Sequence, residues 1–275
     1  MLLRRTMWFA PLLLLASTAV GETRPKASPP SPTKPLMIVA NADAHWDEST
    51  ADAEKVFQNA AAHLWRYYPQ QDLATILVDP KGGPIILHRR GANGEYLVRL
   101  DTGGRLWAQH AFQFGHEFTH ILCRYQPYEH PNRWFEESLC ETGSLFVLRR
   151  MAESWQTHPP YPNWRDYAPN LSRYADDRLR AATLSPGMSF LDWFRQNEPV
   201  LRTNAVLREK NNVVAAALLP LFERTPQGWE TVAWLNGPQP ATEQTLAQFF
   251  DDWRRRAPPR CQPFLREIRQ VFGMP

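Results

Sequence analysis

Cysteine is scarce in this chain: Cys123, Cys140 and Cys261 are the only three among 275 residues. That is too few for a disulfide scaffold, so a hydrophobic core must hold the fold. Charge of either sign is not in excess, with 31 Lys and Arg against 28 Asp and Glu and a formal net charge of +3, which leaves no electrostatic footprint for nucleic acid. Long apolar runs are also missing. The uncharged stretch from Thr6 to Gly21 is interrupted by Pro11 and falls short of the roughly 20 residues of a membrane span. These absences exclude a knottin, a multi-pass membrane protein and a nucleic-acid-coating protein. What is present is 43% hydrophobic and 12% aromatic residues with eleven Trp, enough for a real core and too much for a disordered chain.

The N-terminus reads as an address. Arg4 and Arg5 precede the uncharged run, and Ala19-Val20-Gly21 places small residues where a signal peptidase reads. Residues 1–21 are therefore expected to be a signal peptide, the mature chain to begin at Glu22, and the protein to be secreted or periplasmic. The alternative is an uncleaved N-terminal membrane anchor; no stable membrane insertion of the mature chain is expected. Residues 22–35 carry five prolines in 14 positions and read as an extended linker. Residues 36–150 form the region with chemistry, and 151–275 a helical C-terminal region packed on it.

Leu36 to Ala40 is a buried strand candidate, and Asp47 to Tyr68 a helix that Pro69 stops. Leu73 to Val78, Ile85 to His88 and Tyr96 to Leu100 are strand-like runs separated by turn chemistry, and are expected to form a meander. From Arg105 onward the pattern is helical. In the first of these helices Trp107, Ala111, Phe114, Phe118, Ile121 and Tyr125 share one face. His116 and His120 fall about 40° apart on the other side. A second helix is expected after Pro131-Asn132, capped by Asn132, with Glu137 and Glu141 one turn apart on one face.

His116-Glu117-Phe118-Thr119-His120 is an H-E-x-x-H sequence. On a helix, two neutral imidazoles at i and i+4 can both reach one Zn²⁺ at about 2.0–2.1 Å. Glu117 is then placed beside the ion, where it can take a proton from attacking water and pass it to a leaving amine. A third ligand is needed. The pattern with Gly three and His six residues after the motif fails, since those positions are Cys123 and Gln126, and that excludes the metzincin arrangement. The best third ligand is Glu137, 17 positions after His120, with Glu136 and Glu141 as alternatives. Glu136 lies about 100° around the helix from Glu137 and is expected to matter little if Glu137 is the ligand.

In His116–His120 together with Trp134-Phe135-Glu136-Glu137, the chain resembles the gluzincins, the thermolysin-like and aminopeptidase-like zinc peptidases of the MA-like clan. The likeness covers roughly residues 72–150. It implies an α+β, zincin-like fold: a small antiparallel-rich sheet, then the motif helix, then a mostly helical C-terminal half. It implies one Zn²⁺ held by His116, His120 and Glu137, Glu117 as general base, and Glu141 hydrogen-bonded to a ligand His. It further implies a peptide or protein substrate lying along an edge strand, here Tyr96 to Leu100, and a Tyr or His that stabilises the oxyanion, for which Tyr174 and Tyr167 are the candidates. No Gly-Ala-Met-Glu-Asn string follows, so the aminopeptidase activity is not implied. Two other readings compete: a catalytically weak zinc-fold binding protein, and a zinc hydrolase of a non-peptide amide or ester.

The remaining features read as structure. Cys123 and Cys140, each three residues past a ligand, would diverge by about 9 Å between antiparallel helices, too far for a disulfide. Arg254-Arg255-Arg256 reads as a solvated helix end, and Trp193, Trp229, Trp234 and Trp253 as helix packing.

Overall fold

A computed structural model describes residues 35–47, 49–68, 72–238 and 243–275. The segment expected to be a signal peptide and nearly all of the expected linker lie outside the described residues. The chain runs β1 (Ile38–Ala40), α1 (Thr50–Trp65), β2 (Ile76–Asp79), β3 (Ile85–Ile86), β4 (Tyr96–Arg99), α2 (Trp107–Leu122), α3 (Arg133–Trp155), α4 (Ala168–Ala181), α5 (Phe190–Thr203), α6 (Arg208–Arg224), α7 (Leu246–Arg256) and α8 (Gln262–Val271). Short 3₁₀ turns at Pro162–Tyr167, Pro226–Trp234 and Pro259–Cys261 join the later helices. The class is α+β, with α1 between β1 and β2 and the other helices after the last strand. No helix among the described residues is long and apolar enough to cross a membrane.

The sheet departs from the expected meander. Its order is β1-β2-β4-β3, with β1, β2 and β4 mutually parallel and only β3 antiparallel, to β4. It is a mixed sheet, not an antiparallel-rich one. The reason lies in β3: it is two residues long and preceded by Pro84, which has no N–H to give a ladder. So short a strand takes the edge, and β4 slots between it and β2. The edge strand is therefore Ile85–Ile86, whereas Tyr96–Arg99 is interior.

Behind the sheet, α1 and α2 pack through Phe57 and Phe114, whose ring centroids lie 4.9 Å apart. Tyr68 after α1 donates its hydroxyl to the Leu122 carbonyl at 2.8 Å, fastening the end of α2. Helix α2 is not amphipathic in place: only Gln109, Gln113 and His116 are part-exposed along it, because α3 covers the side that the sequence leaves polar. Helix α3 is the centre of the molecule, touching α1, α2, α4 and α6. Phe135, near its start, sits 4.9 Å from Phe250 and 5.8 Å from Phe272, so the helical C-terminal half packs on the same core. Trp229 and Trp253 are buried there and Trp193 and Trp234 partly so, as expected.

Helices α2 and α3 approach closely because the residues between them are small. At Gly143 a Cβ would collide with the Thr119 side chain; at Gly115 it would meet the Ser144 Cα at 3.4 Å. Hydroxyls absorb the backbone polarity: Ser144 Oγ donates to the Phe112 carbonyl at 2.8 Å and Thr119 Oγ1 to the Gly115 carbonyl at 2.8 Å. Asn132 precedes α3 as expected but does not cap it with its side chain. Its amide donates to the Gln244 carbonyl at 2.9 Å and accepts from Arg202 at 2.9 Å, tying the start of α3 to α5 and the segment before α7.

Gly143→Ala should therefore destabilise the chain by about 1–3 kcal/mol, the usual cost of overpacking. Thr119→Ala in the same chain should recover part of that loss, because the colliding hydroxyl is gone. Denaturant titration of the two single variants and the double variant reads the coupling directly.

Candidate metal centre

The close approach of α2 and α3 brings the motif face against the acidic row of α3. His116 and His120 project side by side, their ring centroids 5.0 Å apart. Both turn Nε2 toward one oxygen: Glu137 Oε2 lies 3.4 Å from His116 Nε2 and 3.6 Å from His120 Nε2. Tetrahedral zinc with ligands at about 2.0–2.1 Å holds its donor atoms about 3.4 Å apart. Glu137 Oε2 thus stands from each imidazole Nε2 at the spacing of two ligands on one such ion.

The far nitrogen of each ring is also occupied. Glu136 Oε1 lies 2.7 Å from His120 Nδ1, and Glu141 Oε2 lies 3.5 Å from His116 Nδ1, an ion-pair distance. A carboxylate only accepts, so His120 carries a proton on Nδ1, and it is Nε2 that would give up its proton to bind a metal. Glu141 thus lies beside the His116 ring. Glu136 does not behave as the bystander expected from sequence: it is buried and accepts a second hydrogen bond, from Asn236 Nδ2 at 2.7 Å. Asn236 also donates to the Cys123 carbonyl at 3.1 Å. Arg256 in turn donates to the carbonyls of Trp234 and Leu235, just before Asn236, so the third arginine of the expected solvated run is a strut. Sequence reading missed Asn236 and Arg256, since a residue a hundred positions away carries no spacing signal.

Glu117 is 3% exposed and accepts the outward N–H of Ile86, so the edge strand fixes the orientation of its carboxylate. It borders a cleft of about 600 Å³ lined by Pro84, Ile85 and Ile86 on one side and by His116, Glu137, Glu141 and Tyr174 on the other. Tyr174 borders the cleft, and its hydroxyl accepts from Arg178 Nη2 at 3.0 Å. Tyr167 does not line it. It packs on Trp107 with centroids 5.0 Å apart and its hydroxyl accepts the Ala108 N–H at 3.2 Å, so this oxyanion candidate is a packing aromatic.

Cysteine supplies a second donor set. Ligand atoms of His116, His120 and Cys140 lie within 4.8 Å of one another. Cys140 is fully buried and its thiol is pushed well above the usual range by burial, then by its hydrogen bond with Cys123. That contact corrects the divergence of the two thiols expected from sequence. The helices are levelled by Thr119 against Gly143, and four residues on from Thr119 and three back from Gly143 come Cys123 and Cys140. The His–Glu pairs meet at the tips of long side chains and do not mark the backbone level. All three cysteines are free and buried.

The electrostatics are those of a site with acids in surplus. Burial works against charge on His116, but its hydrogen bonds to Glu137 and Glu141 and the charge of Glu117 outweigh it and raise the imidazole to about 9. His120 is raised well above its ordinary value in the same way, by Glu137 and Glu136 against burial. Glu137 is held far below the carboxylate range because the two imidazoles overcome its burial. Glu117 is raised, chiefly by burial, the direction that suits a group that must accept a proton. No protein family, curated protein or solved structure matches this chain.

Two outcomes follow for zinc titrations. The metal-free imidazoles hold protons that zinc must displace, so affinity should rise as pH rises toward about 9, where His116 becomes neutral unaided. Calorimetry in buffers of different ionisation enthalpy should register proton release. Glu136→Ala should weaken zinc binding about 10–100-fold, the usual cost of losing the partner that orients a ligand imidazole.

Proposed function

We propose that the chain is a zinc-dependent peptidase of gluzincin type, exported by its N-terminal segment, with His116, His120 and Glu137 holding one Zn²⁺. The observation that carries this reading is that Glu137 Oε2 stands at zinc-like distances from both imidazole Nε2 atoms, on a cleft also lined by Glu117 and by the sheet-edge residues Pro84, Ile85 and Ile86. A bound zinc ion supplies Lewis acidity toward the attacking water and the substrate carbonyl.

The chain's own residues do the rest. Glu117, held by the Ile86 N–H, accepts the proton of the attacking water and passes it to the leaving amine. The edge formed by Pro84, Ile85 and Ile86 lies along the cleft, where an extended peptide fits. Tyr174, whose oxygen is already occupied as an acceptor by Arg178, keeps its own proton to donate to a developing oxyanion. Glu136 and Glu141 hold the imidazoles in the tautomer that points Nε2 forward.

Glu117→Gln should keep zinc at one per chain while turnover of a peptide library falls about 10²–10⁴-fold. His116→Ala should lose both metal and turnover. A parent chain that binds no zinc after mild purification contradicts the metal reading. A zinc-loaded parent that cleaves no peptide but hydrolyses a simple ester or amide moves the activity to non-peptide substrates.

A further inference from the structure

One wall of the cleft carries a cation that the reaction scheme uses only as a hydrogen-bond donor to Tyr174. Arg178 on α4 is half-buried, its guanidinium carbon 4.8 Å from the centre of the Phe112 ring and 5.2 Å from that of Tyr174. Its one hydrogen bond through the side chain among the described residues is the Nη2 donation to Tyr174, and no Asp or Glu among them pairs with it. The other cations on the cleft differ. Arg133 is paired with Glu129, and Arg208 is exposed at the first turn of α6 beside Glu209. A guanidinium has five N–H donors in a planar fork, so most of this fork is left to face the cleft. Its backbone is braced: Asn212 on α6 donates to the Arg178 carbonyl at 2.7 Å.

The position relative to the metal ligands follows from helix geometry. Phe112 lies one turn before His116 on the same face of α2, about 6 Å along the axis. An extended peptide advances about 3.3 Å per residue. A substrate whose reacting carbonyl sits at the His116–His120–Glu137 cluster therefore places a group one or two residues away over Phe112, within reach of Arg178. The fork geometry matches a carboxylate, which accepts two parallel N–H bonds. The surrounding Phe112 and Tyr174 rings exclude water from one side and so strengthen the pairing.

We propose that Arg178 is a specificity-determining residue that binds a substrate carboxylate one or two residues from the scissile bond. The carboxylate is either the α-carboxylate of a chain end or an acidic side chain. The substrate position rests on the peptidase reading above; the binding of the carboxylate itself does not need turnover.

The test uses the full chain carrying Glu117→Gln, loaded with zinc, and three probes titrated by calorimetry. These are an N-acetylated dipeptide with a free C-terminus, the same dipeptide amidated, and an amidated dipeptide ending in Glu. At least one of the two acids should bind about tenfold or more tightly than the neutral amide, the usual worth of a charge-assisted hydrogen bond. The free acid leading identifies a chain end as the source; the Glu amide leading identifies a side chain. Arg178→Met should bring all three within about twofold of one another, and Arg178→Lys, which keeps charge but loses the fork, should restore part of the preference. Equal binding of all three by the chain with Arg178 intact overturns the proposal, whatever the variants do, and so does a preference that survives Arg178→Met. Carboxylate preference in a chain that hydrolyses no peptide contradicts the peptidase reading alone. Hydrolysis by the parent without carboxylate preference contradicts this inference alone.

Discussion

The contact between Thr119 and Gly143 governs most of what this molecule can do. Two helices that carried ordinary side chains at their crossing would stand about 8–10 Å apart, a spacing set by those side chains. Here Gly115, Gly143 and Ser144 remove the side-chain bulk, and hydroxyls of Thr119 and Ser144 satisfy backbone carbonyls instead of filling space. The gain is reach. Across this crossing the Glu137 carboxylate meets both imidazoles, and Glu136 and Glu141 lie against the far nitrogens of the rings. The same crossing puts Cys123 against Cys140 and hides nearly the whole of α2 from solvent. Sheet edge, motif helix and the helix bearing Glu137 are held in one packing unit.

Charge balance then explains why so acidic a place can exist inside a core. Four carboxylates, those of Glu117, Glu136, Glu137 and Glu141, surround two imidazoles. Without a cation, the imidazoles take up two protons, which is why His116 and His120 are raised against the pull of burial. A dication that displaces those two protons leaves the total charge unaltered. Exchange of protons for metal therefore leaves the net charge of the site unchanged. Asn236 and Arg256 extend the stabilisation outward, so that the buried Glu136 is hydrogen-bonded on both oxygens.

Much of this was legible in the residues. The spacing of His116, Glu117 and His120 and the phase of Glu137 against Glu141 are local properties of a helix, and the structure brings these side chains together. The α+β class was also local, written in turn chemistry and helical periodicity. What failed was long-range. The position of β4 between β2 and β3 depends on which strand is too short and too proline-limited to be interior. The role of Glu136 depends on Asn236, a hundred residues on, and the proximity of Cys123 and Cys140 on which residues set the helix level. Tyr174 and Tyr167 look alike in sequence, yet α4 turns one to the cleft and the 3₁₀ turn before it packs the other among Trp107, Trp155 and Trp164. Periodicity reports which face a residue is on; it does not report what that face meets.

The donor set is the central claim, and Cys140 is its nearest rival. X-ray absorption at the zinc edge of the zinc-loaded full chain separates the two sets. Coordination by His116, His120 and Glu137 gives a shell of nitrogen and oxygen at about 2.0–2.2 Å with imidazole scattering beyond it and no sulfur. A sulfur shell at about 2.3 Å would place Cys140 on the metal and contradict the account.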